Sequence, residues 1–389
     1  MFAPFREPAK LPLRLSPRMR IVHIAPHLAA ATDPFAPEVQ ALAQAQAQTG
    51  EDRVQAVAVA PHARNFHLGE LELRTFPAEP PRCLGRSRTL RHHLLASPLE
   101  LLHAHCLGER GLHYARLAAL RHSAPLILSP AGRLGLGEDH RARLRCTALR
   151  LLLHPLALEH AAGWHATSPE EAQAIRACDF TQPICVAPPG IRPPADSELA
   201  EARVWWHEQL PELVDRPVAL FQAPCDRHHR IRELITAWAA ADTGDWLLLV
   251  VGPPGKTDTA ALTALAARLG AARRVRVAAP ANAPPVHAVA SLFLRPSRLE
   301  PSVTPVASAL AAGLPALVTD TTPWSRLAQE NAGWCVAWND FPAALRRTLA
   351  LAPEALAAVG ASARELIRRE FDWSHSAARL LEFYRNLRS

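Results

Sequence analysis

The chain has 389 residues, of which 49% are apolar and 20% charged, with a formal net charge of +7. That length exceeds the usual ceiling for one hydrophobic core and predicts two domains of roughly 180 residues each, while the composition excludes a disordered or fibrous chain. No apolar run reaches the roughly 20 residues of a spanning helix, and a pI near 9.4 favours anionic partners, whether nucleotide diphosphates, an anionic lipid surface or nucleic acid.

Residues 1–18, rich in Pro and Arg, read as a loose N-terminal extension before Met19. From there short apolar runs alternate with longer amphipathic stretches, the pattern of β-α units around a mostly parallel sheet. Strands are predicted at residues 20–25, 54–60, 101–105, 126–129, 163–167 and 184–187, which defines a first doubly wound domain over 19–195. The proline-rich stretch 188–195 has linker composition. The boundary is expected near Asp196, with residues 203–209 as the first helix beyond it. A second domain over 196–370 repeats the logic, with strands at 218–222, 246–251, 274–278, 291–294, 316–319 and 334–337 and helices at 230–241 and 258–269. Residues 371–389 form a C-terminal unit whose helix, 374–388, carries Ala377, Leu380, Leu381 and Tyr384 on one face and is expected to return to the first domain. The fold class is therefore α/β, two doubly wound domains facing a central cleft, with ligands at the carboxyl ends of the strands.

Seven cysteines without a C-x-x-C pair predict free thiols and a reducing cytoplasm. The pairs His92-His93, His103/His105 and His228-His229 offer no third ligand at a recognisable spacing, so no metal is expected. His105, at a strand end, is a cleft candidate, or equally a satisfied loop histidine. Arg141, Arg143, Arg145 and Arg150, interleaved with leucines, read either as a solvated helix face or as a basic amphipathic helix giving peripheral contact with the inner face of a membrane. No zinc knuckle, RNP-like string or helix-turn-helix pattern accompanies the positive charge, so nucleic acid is not an expected partner.

One segment can be read residue by residue. Thr304 suits an N-cap, Pro305 the first helical position, and Gly313 the end of the helix. Free amides at Val303 and Thr304 would suit a diphosphate, with Glu300 pointing into the same space. An ordinary strand-loop-helix turn gives the same pattern.

The string Leu294-Arg-Pro-Ser-Arg-Leu-Glu300, followed by Ala309-Leu-Ala-Ala-Gly-Leu-Pro315, resembles the donor-site signature of retaining GT-B glycosyltransferases of family 4. His103-Ala-His105, Ser129-Pro-Ala-Gly132, Trp164-His-Ala-Thr-Ser168 with Glu171, Thr322-Pro-Trp324 with Gly333-Trp334, and Phe371-Asp-Trp373 with Tyr384 resemble motifs of its bacterial surface-polysaccharide branch. The resemblance implies two Rossmann-like domains and transfer of a hexosyl-type sugar, with retention, from a nucleotide-diphosphate sugar to a glycan or lipid-linked acceptor. The nucleotide sugar is a co-substrate, and neither cofactor nor metal is implied. Glu300 would contact the donor sugar, His105 would share the catalytic space and Gly132 would lie on the acceptor side.

The chain also departs from the pattern. The phosphate-binding Arg and Lys of the family fall on Pro224 and His229, the ribose-binding acid falls on Ser308, and the glycine-rich loops become Pro301-Ser-Val303 and Asp33-Pro-Phe-Ala-Pro37. Each lost charged contact is worth about 1.5–3 kcal/mol. Arg227, His228, Arg230 and Arg298 stand near enough in sequence to compensate, and His229 and Arg230 would be the surviving or substitute phosphate contacts. Two readings stay open: an active enzyme with substitute cations, or a degenerate binding or scaffolding protein.

Overall fold

The computed structural model describes residues 18–25, 36–80, 85–105, 107, 109–132, 134, 155–223, 229–253, 257–298, 300 and 302–388. The predicted loose extension, Arg227, His228, Pro224 and the basic stretch 141–150 lie outside them.

Two sheets organise the molecule. The first contains β1 (Arg20–Ala25), β2 (Arg53–Ala60), β3 (Arg64–Leu68), β4 (Leu71–Pro77), β5 (Leu101–Ala104), β6 (Leu126–Leu128), β7 (Gly163–Ala166) and β8 (Ile184–Val186), in the order β3-β4-β2-β1-β5-β6-β7-β8. All neighbours are parallel except the β3–β4 hairpin, which the sequence reading missed. The second holds β9 (Val218–Gln222), β10 (Leu247–Val251), β11 (Val275–Ala278), β12 (Leu292–Arg295), β13 (Ala316–Thr319) and β14 (Gly333–Val336), in the order β11-β10-β9-β12-β13-β14, all parallel. The sheets are separate, and together with their covering helices they give the two Rossmann-like α/β units expected.

The strands read as continuous apolar runs because helices cover both faces of each sheet. In the first sheet Val22, Val57, Leu102 and Leu128 pack on one side. Their neighbours Ile21, Ala56, Leu101 and Ile127 pack on the other. Phe221, Leu248, Leu294 and Leu317 alternate in the same way with Leu220, Leu249, Phe293 and Val318 in the second sheet. This period of two is what a pleated strand between two helical layers requires.

The helices named below are α1 (Ala36–Gln48), α2 (Arg88–Ala96), α3 (Arg110–His122), α4 (Pro155–Glu159), α5 (Pro169–Ala177), α6 (Asp196–Gln209), α7 (Ile231–Ala240), α8 (Thr259–Arg268), α9 (Thr304–Ala311), α10 (Phe341–Leu349), α11 (Pro353–Glu370) and α12 (Trp373–Asn386). The first helix beyond the linker begins at Asp196, seven residues before the predicted start, because Glu198 accepts from the Ala195 amide and fixes the first turn. The chain passes between the sheets twice, at 187–195 and at 371–373, and the Ile191 amide donates to the Phe371 carbonyl at 2.7 Å to tie the two passages. Gly190 sits where a Cβ would lie 2.2 Å from the Trp373 ring, so only glycine lets them close. Beyond this point α12 lays Leu380, Leu381 and Tyr384 into the first sheet's core, beside α1.

Cys185 and Cys335 carry free thiols, which burial pushes up to about 11. Cys178 is disulfide-bonded, with its partner outside the described residues, and this corrects the expectation of free thiols throughout. No helix among the described residues is long and apolar enough to cross a membrane.

Candidate active site

A cleft of about 1530 Å³ opens at the carboxyl ends of the second sheet's strands, with Glu38 of α1 reaching it from the first domain. Glu300, Ser302, Thr304 and Ser308 line it, as do His229 and Arg295. The chain reaches this wall through β12, whose buried apolar residues Leu292–Leu294 anchor the strand, so that Arg295 and the following loop emerge at its carboxyl end.

Glu300 is only 4% exposed. Its carboxylate accepts from Arg295 Nε at 2.7 Å and from Arg295 Nη2, while His229 Nε2 stands 3.6 Å away and the Ser302 amide donates at 3.3 Å. Burial pushes the Glu300 carboxyl up, but the His229 hydrogen bond and the Arg295 guanidinium outweigh it and hold the group below the usual carboxylate range. Arg295 is itself 3% exposed and donates through Nη1 to the Gln222 carbonyl at 2.6 Å, linking the ends of β12 and β9. Sequence reasoning singled out Glu300 and passed over Arg295. The sequence holds only a partial signal: a charged residue at the end of an apolar strand run needs a buried counter-charge, but which acid supplies it depends on how the following loop folds.

The helix at this wall starts one residue earlier than predicted. Val303 is the cap, in helical conformation and with no side-chain cap bond, and Thr304 opens α9. Pro305 is therefore the second helical residue, where a missing N–H still costs nothing. The positive end of α9 already faces an anion, since Thr304 Oγ1 donates to Glu38 of α1 across the cleft.

The other predicted cations behave differently. Arg230, in the left-handed region at φ 49°, lays its guanidinium over the Trp338 ring at 4.6 Å to the centroid. Arg298 pairs with Glu233 on an exposed face. Neither lines the cleft. Among the described residues its lining offers two guanidinium groups, Arg192 and Arg295, against four carboxylates, Glu38, Glu198, Glu201 and Glu300. Arg192 is moreover paired with Glu198 at 2.9 Å.

In the first domain His105 follows β5, 6% exposed, and lines not the cleft but a separate small cavity with His165, Thr167, Ser129, Ala131 and Glu38. Burial, then the neighbouring His23 and His165, hold its imidazole well below the ordinary histidine range. Glu38 borders both the cavity and the large cleft. Gly132, at φ 78°, donates its amide to Glu171 at 2.5 Å. Glu171 also accepts from the amide and hydroxyl of Thr167, so this carboxylate braces the loops after β6 and β7; burial nevertheless raises its pKa.

Two separate parallel-sheet domains with a helix N-terminus and a buried ion pair at the mouth of the cleft define the GT-B architecture. Residues 35–190 match the family described as Glycosyl transferase 4-like domain, and residues 216–352 match Glycosyl transferases group 1. The chain is a glycosyltransferase of the GT-B class. No curated protein matches its sequence significantly. Among solved structures it is similar to sucrose-phosphate synthase from Thermosynechococcus elongatus, at 20% identity and a TM-score of 0.73, covering 95% of this chain and 99% of that one. HepE of Anabaena, solved with UDP and glucose, superposes at 16% identity and a TM-score of 0.72 over 95% and 100% of the two chains. WaaG, a glycosyltransferase involved in lipopolysaccharide biosynthesis, gives 18% identity and a TM-score of 0.63 over 92% and 98%.

Proposed function

We propose that this protein transfers a hexosyl-type sugar from a nucleotide-diphosphate donor to a glycan or lipid-linked acceptor, with retention of configuration, in the assembly of cell-surface polysaccharide. The observation that carries the reading is the Arg295–Glu300–His229 cluster beside the N-terminus of α9, on the wall of a cleft roomy enough for a nucleotide sugar. The UDP and glucose named for HepE supply the donor class.

In this reading Glu300 contacts the donor sugar through the carboxylate oxygen not held by Arg295. The Val303 and Thr304 amides meet the leaving diphosphate, with Ser308 one turn along α9 beside the ribose. His105 closes the sugar site from the first domain, and Gly132 shapes the acceptor side. Because Arg230 and Arg298 are engaged elsewhere, Arg227 and the cleft-lining His229 are the proposed contacts for the diphosphate. Cytoplasmic location at the inner membrane face, through the 141–150 segment, suits a lipid-linked acceptor.

The acidic balance of the described lining favours one rival: a degenerate GT-B protein that binds or scaffolds without turnover. Incubation with labelled UDP-, GDP- and ADP-sugars separates the two. Release of nucleoside diphosphate above the uncatalysed rate supports transfer chemistry, whereas no release from any donor, with or without a glycan or lipid acceptor, leaves the scaffold reading.

A further inference from the structure

Behind the cleft, in the core of the first domain, the fold gathers histidines that are far apart in sequence. His23 comes from β1, His103 from its neighbour β5, and His105 from the residue after β5; their side chains are 0%, 0% and 6% exposed. One ring nitrogen of each lies within 4.8 Å of the others. The spacing His103-Ala-His105 lacked a third ligand in the sequence, and the pairing of β1 with β5, which sets His23 opposite His103, supplies it.

The partners of these rings fix where their free nitrogens point. His23 Nε2 is 2.7 Å from the Gln46 side-chain oxygen, so it is the protonated nitrogen and Nδ1 keeps its lone pair. That Nδ1 is hydrogen-bonded to His105 Nε2 at 3.1 Å, a spacing near the ~3.3 Å expected between two nitrogens on one tetrahedral zinc, so an ion there would replace this bond. His103 Nδ1 meets the Tyr384 hydroxyl at 2.6 Å, which leaves Nε2, and this atom is buried without any partner. His165, its ring edge-on to His103 with centroids 5.2 Å apart, donates from Nε2 to the Ala187 carbonyl at 2.8 Å, and its buried Nδ1 is likewise unpartnered. Buried polar atoms normally find partners, so the orphan Nε2 of His103, close to ring nitrogens of His23 and His105, calls for one. The outward bonds of His23 to the Gln46 amide and of His103 to the Tyr384 phenol are the support that metal-binding histidines receive.

We propose that His23, His103 and His105 bind a divalent metal ion of borderline softness, best represented by Zn2+, at the heart of the first domain. Three imidazoles and no carboxylate select zinc over magnesium or calcium. The ion joins β1 and β5 through ligands and reaches α1 and α12 through Gln46 and Tyr384. It thereby clamps the C-terminal helix to the first domain.

The test uses the full chain, freed of any affinity tag, stripped with chelator and dialysed against ZnCl2. Elemental analysis should find one Zn2+ per chain, and zinc should raise the thermal midpoint. Substituting Co2+ should give the intense visible bands of a low-coordinate site, a readout that depends on no variant. His23→Gln and His103→Gln, checked for folding by circular dichroism, should each weaken zinc binding by at least about tenfold, while the control His92→Gln should not. Wild type that retains no zinc after dialysis, the pale spectrum of hexa-aqua Co2+, or equal retention by both folded variants would overturn the proposal.

Discussion

The Arg295–Glu300 pair is where the chemistry of single residues is most exposed to test. Both groups are buried, so removing one strands the other's charge. Arg295→Met should cost about 3–5 kcal/mol of unfolding free energy, and the double change Arg295→Met with Glu300→Leu should recover most of it. Chemical denaturation of Arg295→Met, Glu300→Leu and the double variant checks this, and additive losses would contradict it. The pH dependence has a definite sign. Glu300 has a folded-state pKa below its unfolded value, so its stabilisation is complete above about pH 4.3 and is lost as pH falls through the folded value. Between about pH 5 and about pH 2, wild type should therefore lose more stability than Glu300→Gln; parallel curves would remove the ionised pair from the account. Sequence pattern led to Glu300 because a helix start follows it. Arg295 was not legible in the same way, since its partner is defined by how the loop after β12 folds back, a matter of tertiary geometry. The same limit hid the destinations of Arg230 and Arg298, whose local partners Trp338 and Glu233 are set by packing of α7 against neighbouring segments.

At the scale of elements, strands were legible wherever an apolar run was buried on both faces. β1, β9 and β13 fall on the predicted residues. The β3–β4 hairpin was not, because β3 is an exposed edge strand, Arg64-Asn-Phe-His-Leu68, with almost no buried face to write a pattern. Motifs that carried the family resemblance also serve packing: Trp324 stacks on Phe371 at 5.4 Å, and Trp373 closes over Gly190. The second contact predicts that Gly190→Ala, which forces a methyl into the Trp373 ring, destabilises by about 1–3 kcal/mol. Thermal melts of Gly190→Ala and of Gly190→Ala with Trp373→Leu test the cause. The smaller residue should relieve the strain, and equal midpoints in the two variants would point elsewhere.

For the molecule as a whole, the relation between the two halves decides what the cleft can hold. Thr304 to Glu38 is a contact across that cleft, as is Ser325 Oγ donating to Glu170 at 2.8 Å. Glu38 thus places a carboxylate where a diphosphate is proposed to lie, at the positive end of α9. Replacing it with Gln removes the competing charge and should tighten nucleoside-diphosphate binding by about twofold to fivefold, the equivalent of roughly 0.3–1 kcal/mol at a helix terminus. Unchanged affinity in Glu38→Gln would move the diphosphate away from α9. The central claim is that this cleft binds a nucleotide-diphosphate sugar through the wall that carries Glu300 and Thr304, with Arg227 as the proposed cation. Calorimetric titration of wild type and Arg227→Ala with UDP, GDP, ADP and their glucose conjugates measures it most directly. The account predicts saturable binding of one nucleotide family by wild type, weakened in Arg227→Ala by about 1.5–3 kcal/mol, the value of a lost charged contact. No heat of binding from any of the six ligands at millimolar concentration would contradict it.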